Sequence, residues 1–107
     1  MFSFGDILII NFPFTDGKGS KRRPVLVIKQ TDDNDLLIAK VTSQPYNTQF
    51  DMPISEWKQA GLLSISFIRI HKIQTLHSSL VFGQIGRLPS TDLKSAKKAI
   101  INLVKSL

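Results

Sequence analysis

The stretch from Lys18 to Ile28 reads KGSKRRPVLVI, and it joins a glycine-containing turn to a cationic cluster, a proline and an apolar strand. Four of the 14 lysine and arginine residues of the chain lie in its first six positions. Proline tolerates only the first position or an edge of a strand, so the strand body is expected from Val25 to Lys29. The stretch therefore predicts a basic loop that ends in Arg23, with a rigid strand fixing that guanidinium where it can bind an anion.

The segments on either side predict a series of short antiparallel strands. They are apolar or alternating, rich in β-branched residues, and separated by brief polar turns. Phe50–Ile54 is interrupted by Pro53 and therefore predicts an edge strand. The other predicted strands are Asp6–Phe12, Leu36–Thr42, Ser66–Ile73 and a short one around Phe82–Ile85.

Two helices are predicted. Ser55 is expected to cap a short helix over residues 56–59 that Gly61 closes, and Ser90 to cap a longer helix at the end of the chain. Apolar residues recur in the longer helix at intervals of three and four, which predicts one face packed on the sheet. They are Leu93, Ala96, Ile100, Leu103 and Leu107.

These elements predict one domain over residues 1–107, with a strongly bent antiparallel sheet or barrel and a C-terminal helix. The chain has no cysteine and only two histidines, and it shows no cluster with metal-ligand spacing, so no metal or other cofactor is expected. No signal peptide and no apolar run of about 20 residues is seen, so we expect a cytoplasmic protein without a membrane segment. The formal net charge of +6 favours polyanions or acidic proteins as partners.

The chain resembles the MazF/PemK (Kid) toxins of toxin–antitoxin systems along almost its whole length. The segments that carry the resemblance occur in order at ordinary spacing. They are Gly5–Asp16, Lys21–Ile28, Ala39–Ser43, Ser66–Leu76 and Gly86–Leu88.

The resemblance implies a small SH3-like barrel, mainly β with a C-terminal helix, that forms a homodimer. It implies a metal-independent endoribonuclease that cuts single-stranded messenger RNA, and a cognate antitoxin whose acidic or apolar tail occupies the RNA groove. The family's catalytic arginine corresponds to Arg23 and its threonine to Thr42. A second arginine corresponds to Arg69, and His71 stands where the Kid-like branch has an aspartate.

These residue types suit RNA cleavage by the neighbouring 2′-hydroxyl. A planar arginine fork matches phosphate, and a threonine hydroxyl can donate a hydrogen bond to a phosphoryl oxygen. His71 titrates near neutrality and could act as an acid or a base. Regular alternation predicts that Arg69 and His71 share one face of their strand while Lys72 lies on the other. Arg69 could equally pair with an acidic residue of a neighbouring strand.

A further set of residues is expected to bind RNA. The cations would steer phosphate. The aromatic rings would stack on bases, or belong to the core or to dimer contacts, as Trp57 could too. The set comprises Lys18, Lys21, Arg22, Phe14, Ser43, Tyr46 and Lys72. Two rival functions stay open at this point: a toxin of the same barrel type that poisons a protein such as DNA gyrase, and an RNA- or DNA-binding module without turnover.

Overall fold

The computed structural model describes all residues from 1 to 107. Its six strands form one antiparallel sheet in the order β4-β5-β3-β2-β1-β6, followed by a single α-helix. A short 3-10 helix, Ser78–Leu80, joins β5 to β6. The elements are β1 (Asp6–Pro13), β2 (Ser20–Gln30), β3 (Asp35–Thr42), β4 (Asp51–Pro53), β5 (Phe67–His77), β6 (Val81–Arg87) and α1 (Ser90–Lys105). The fold class predicted from the sequence, mainly β with a C-terminal helix, is confirmed.

The sheet stays open, with β4 and β6 as its two edges. Its curvature nevertheless brings the turn after β4 against β6. A Cβ atom at Gly61 would collide with the backbone carbonyl of Ile85, and one at Gly86 with that of Ala60. The two glycines thus permit a close backbone approach that makes the open sheet resemble a barrel at this end.

Each face of the sheet carries a cluster of buried apolar residues. On one face, Ile7, Leu26 and Ile68 belong to a core cluster against which Leu93, Ile100 and Leu103 of α1 pack. A second cluster on the other face includes Leu8, Val25 and Ile38. The helix therefore covers the sheet as its periodicity predicts, except that Leu107 lies beyond its end and is exposed.

Strand β2 starts earlier than the sequence suggests. It begins at Ser20, so Lys21 to Arg23 lie in the strand and the prediction of a basic loop before it is wrong. Pro24 pairs with Ile9 of β1, whereas pairing with β3 begins only at Val25. The proline is accommodated because its missing N–H faces a side without a partner strand. The basic cluster consequently stands on a two-stranded ribbon of β1 and β2.

The predicted short helix over residues 56–59 is reduced to turns. Gly61 does end these turns as expected, with φ at 94°. Its N–H donates to the carbonyl of Lys58, and the N–H of Leu62 donates to the carbonyl of Trp57. Four residues are too few for a stable helix, because forming the first helical turn is itself unfavourable.

A buried carboxylate holds these turns against α1. Ser90 is not the cap, because the helix begins at Ser90 itself and its N-cap, Pro89, makes no side-chain hydrogen bond. Asp92, which is 2% exposed, instead accepts hydrogen bonds from the N–H and hydroxyl of Ser55 and from the N–H of Glu56. The side chain thereby links the first turn of α1 to the segment after β4.

Replacing Asp92 with alanine should lower the free energy of unfolding by about 2–4 kcal/mol, because three donors of Ser55 and Glu56 would lose the buried, charged acceptor that they share. Denaturant titration would measure the loss. Thr91→Ala, an exposed change on the same turn, is the control and should alter stability little. Equal stability of the two variants would contradict the role assigned to Asp92.

Candidate nucleic-acid interface

A cleft of about 1070 Å³ opens beside the β1–β2 ribbon, at the ends of β3 and β5. Its lining contains five cationic side chains and no aspartate, glutamate or histidine. The cations are Lys21, Arg23, Lys40, Arg69 and Lys72. Such a surface focuses positive potential on the cleft and so favours a polyanionic ligand.

Arg23 reaches the cleft from the ribbon. It lies opposite Ile10 of β1, and Lys21, two positions earlier, lines the same cleft, as the alternation of a strand requires. The Arg23 side chain is exposed and makes neither a side-chain hydrogen bond nor an ion pair. Its guanidinium is therefore free to bind an anion.

Thr42 and Ser43 line the cleft at the end of β3. The Thr42 hydroxyl oxygen accepts a hydrogen bond from the backbone N–H of Gln44 at 3.0 Å. That bond fixes the oxygen in a local turn and leaves the hydroxyl hydrogen available to an acceptor in the cleft.

Arg69 is held from behind by an ion pair. Its Nε donates to Oδ1 of Asp51 at 2.9 Å, directly across the β4–β5 pair. The side chains are 14% and 3% exposed, respectively. One face of the guanidinium lies 3.8 Å from the centre of the Tyr46 ring. Arg69 thus pairs with an acidic strand neighbour, one of the two alternatives left open above, and still lines the cleft.

The electrostatics of Asp51 follow from these contacts. Burial alone would raise its pKa, but hydrogen bonds from Thr48 and Arg69 outweigh burial and hold the pKa below its ordinary value of 3.8. The carboxylate therefore stays ionised near neutrality and keeps the ion pair with Arg69 intact.

A bulge in β5 redistributes the side chains that the sequence placed by alternation. Ile73 pairs with Ala39 and Arg69 with Lys40, so three residues of β5 face no partner on β3. Lys72 consequently lines the same cleft as Arg69, although regular alternation put the two on opposite faces.

His71 is not brought into the cleft. Its ring lies 5.2 Å from that of Phe50, and its buried Nδ1 has no hydrogen-bond partner. His71 therefore does not accompany Arg69 in the cleft lining, and the shared face predicted for the two side chains remains a prediction. The catalytic role of His71 remains a prediction without a position in the cleft to support it.

The other predicted RNA-binding residues divide into two groups. Phe14 and Tyr46 line the cleft and are about half exposed, whereas Trp57 packs against the core. Arg22 is on the opposite side of the ribbon, where its guanidinium lies 3.7 Å from the centre of the Phe82 ring. Lys18 lies in the turn before β2 and does not line the cleft.

Sequence reasoning missed two charged residues. Lys40 lines the cleft, and its place between the buried residues Ala39 and Val41 marks it as an outward-facing strand residue, so alternation could have identified it. The role of Asp51 depends on the pairing of a three-residue edge strand with β5, for which the sequence carries no local signal.

The Asp51–Arg69 pair should stabilise the fold in a pH-dependent way. The pKa of Asp51 is lower in the folded chain than in the unfolded chain. Its contribution to the free energy of unfolding is therefore fully present at pH values above the ordinary pKa of 3.8, and it is lost as the pH falls through the lowered pKa of the folded chain. Urea titrations of the wild type and Asp51→Asn should differ by a constant free energy above about pH 5, and that difference should shrink below about pH 4. A difference independent of pH would contradict this assignment.

Known proteins resemble this chain both in sequence and in fold. A curated relative, a probable endoribonuclease MazF of Mycolicibacterium smegmatis, is 33% identical over 87 residues, covering 76% of this chain and 78% of the relative. A MazE-MazF crystal structure from Deinococcus radiodurans has a TM-score of 0.79 at 18% identity, covering 97% of this chain and 96% of that one. The Mycobacterium tuberculosis toxin MazF-mt6 has a TM-score of 0.70 at 20% identity, covering 92% and 96%.

At these identities the two solved structures establish the shared fold. The family itself is established by the sequence. The model of the PemK-like, MazF-like toxins of type II toxin–antitoxin systems matches residues 3–104, so the resemblance noted from the sequence is confirmed and the chain belongs to this toxin family.

Proposed function

We propose that the protein is an endoribonuclease toxin that cuts single-stranded messenger RNA in the cationic cleft, without a metal ion. The observation that carries the proposal is a set of hydrogen-bond donors from three strands that line the same cleft. The unpaired guanidinium of Arg23, the Thr42 hydroxyl and the free end of Arg69 all line one cleft that contains no carboxylate. The name of the Mycolicibacterium relative, a probable endoribonuclease, supports the same activity.

The reaction is an attack of the 2′-hydroxyl on the adjacent phosphorus. The O2′–P bond forms as the P–O5′ bond breaks, which yields a 2′,3′-cyclic phosphate and a 5′-hydroxyl end. The proton of the 2′-hydroxyl leaves and a proton is gained by O5′, so no further reactant is consumed. Charge on the non-bridging oxygens grows in the transition state, and fixed cationic donors lower its energy.

Each cleft residue has a part in this scheme. Arg23 binds the phosphoryl oxygens through its planar fork, Thr42 donates a hydrogen bond to one of them, and Arg69 supplies a second cation. The cleft lining offers no side chain with an ordinary pKa near neutrality. We therefore assign the two proton transfers to water, and no step to His71.

Single-stranded RNA fits the remainder of the lining. Phe14 and Tyr46 present exposed aromatic rings beside the cations, and bases splayed out of a single strand stack on such rings. Lys21, Lys40 and Lys72 can follow the neighbouring phosphates, and Ser43 can donate a hydrogen bond at the end of β3.

The expected protein partners belong to this proposal as well. A cognate antitoxin is an expected partner, since structures of MazE-MazF assemblies from Deinococcus radiodurans share this fold. It would block the cleft with an acidic or apolar segment. A homodimer would cover part of the apolar surface that the monomer exposes, for example at Phe82 and Ile65. No helix is long and apolar enough to cross a membrane. We place the activity in the cytoplasm, because messenger RNA is its substrate.

The decisive assay incubates the purified protein with a long RNA in EDTA. We expect discrete fragments with 5′-hydroxyl ends, and a fall in kcat of about 10²–10³-fold in Arg23→Ala, because the fixed charge at the phosphoryl oxygens is lost. Arg22→Ala removes the same charge one residue away, on the other side of the ribbon, and should keep kcat. Intact RNA after incubation with folded wild-type protein would refute the proposed function.

The absence of His71 from the cleft generates a separate expectation. His71→Asn should leave both kcat and its pH dependence as they are in the wild type, because the ring lies outside the reacting site. Initial rates of cleavage of a fluorogenic oligonucleotide across the pH range would measure this. A lost or shifted ionisation near neutrality in the variant would restore His71 as an acid or base.

A further inference from the structure

The carboxylate of Asp51 joins two parts of the cleft wall without reaching the cleft itself. Its Oδ1 accepts from Nε of Arg69, and its Oδ2 accepts from the N–H of Thr48 at 3.0 Å and from the Thr48 hydroxyl at 2.6 Å. Only 3% of the side chain is exposed. Asp51 thus ties strand β5 to the loop that carries Tyr46.

The ion pair with Asp51 leaves the two terminal nitrogens of the Arg69 guanidinium free. The ion pair engages Nε, and the Tyr46 ring covers one face of the guanidinium at 3.8 Å. No side-chain hydrogen bond or ion pair engages either terminal nitrogen. A guanidinium held at one edge and one face has little freedom to rotate, so its terminal fork is preorganised for an anion in the cleft.

We propose that Asp51 is a positioning residue, which holds Arg69 and the Tyr46 loop in the geometry that RNA cleavage requires. The inference rests on the proposed function, because Arg69 would act on the phosphate there. Asp51 is not a base for the 2′-hydroxyl: both of its oxygens are occupied, and its side chain is shielded from the cleft.

A second ion pair in the chain provides a matched control. Asp6 accepts from Nη1 of Arg87 at 2.8 Å and from the N–H of Ser3 at 2.9 Å. Asp6 is 7% exposed, and neither it nor Arg87 lines the cleft. Asp6→Asn and Asp51→Asn therefore each remove the charge of a mostly buried aspartate that pairs with an arginine, but only the second pair lies at the cleft.

The first test compares cleavage kinetics of these two variants. Asp51→Asn should lower kcat by about 10–100-fold with little change in KM, since a misplaced cation loses contacts made in the transition state. Asp6→Asn should keep kcat even if it lowers the unfolding temperature. Wild-type kcat in Asp51→Asn would overturn the inference.

A double-mutant cycle separates positioning from general destabilisation. If Asp51 acts through Arg69, then Asp51→Asn should cost nothing more in an Arg69→Gln background, because the residue being positioned is already gone. An equal loss of kcat in both backgrounds would overturn the inference. If Asp51→Asn does not fold, Thr48→Val can replace it, because that change removes only one hydrogen bond to Asp51. Thr48→Val should lower kcat by a smaller factor than Asp51→Asn. An unchanged kcat would overturn the positioning role of Asp51.

The inference also has a readout that does not require turnover. In the wild type, the Nε–H proton of Arg69 should exchange slowly with water in NMR spectra, and Asp51→Asn should accelerate that exchange. Equal exchange rates would overturn the positioning role whether or not the protein cuts RNA. RNA left intact by the wild type would instead refute the proposed function, so the two failures are distinguishable.

Discussion

One buried ion pair, between Arg69 and Asp51, decides the shape of the cleft. A pair of this kind adds little net stability, because the cost of removing two charges from water offsets most of their attraction. Its value here is positional. It fastens the short edge strand β4 to β5, holds Arg69 beside Tyr46 and keeps the Asp51 carboxylate out of the cleft lining.

The lining of the cleft therefore carries a net positive charge. Five cations share its walls, and their mutual repulsion opposes the compact state until an anion enters. The β1–β2 ribbon tolerates this arrangement because Lys21 and Arg23 stand on strands that are fixed by the buried segments behind them. The charge is therefore preorganised before the ligand arrives, which is the condition under which fixed donors accelerate a reaction most.

The sequence was informative where local chemistry governs structure. The strands, the closing role of Gly61, the packing of α1 and the cleft positions of Arg23 and Thr42 all follow from periodicity, turn residues or family motifs. It failed where tertiary context governs. Lys72, beside the bulge in β5, lines the cleft and His71 does not, and Asp92 caps a neighbouring segment instead of its own helix. Nothing in the local sequence around Asp51 shows that it will pair with Arg69.

The most direct test of the central claim is a crystal structure of the protein with a single-stranded oligonucleotide whose 2′-hydroxyl at the cleavage position is replaced by hydrogen, so that attack is impossible. The phosphate at that position should lie within hydrogen-bonding distance of the guanidinium groups of Arg23 and Arg69, with a base against Tyr46. An oligonucleotide seated instead on the opposite side of the ribbon, beside Arg22 and Phe82, would contradict the account.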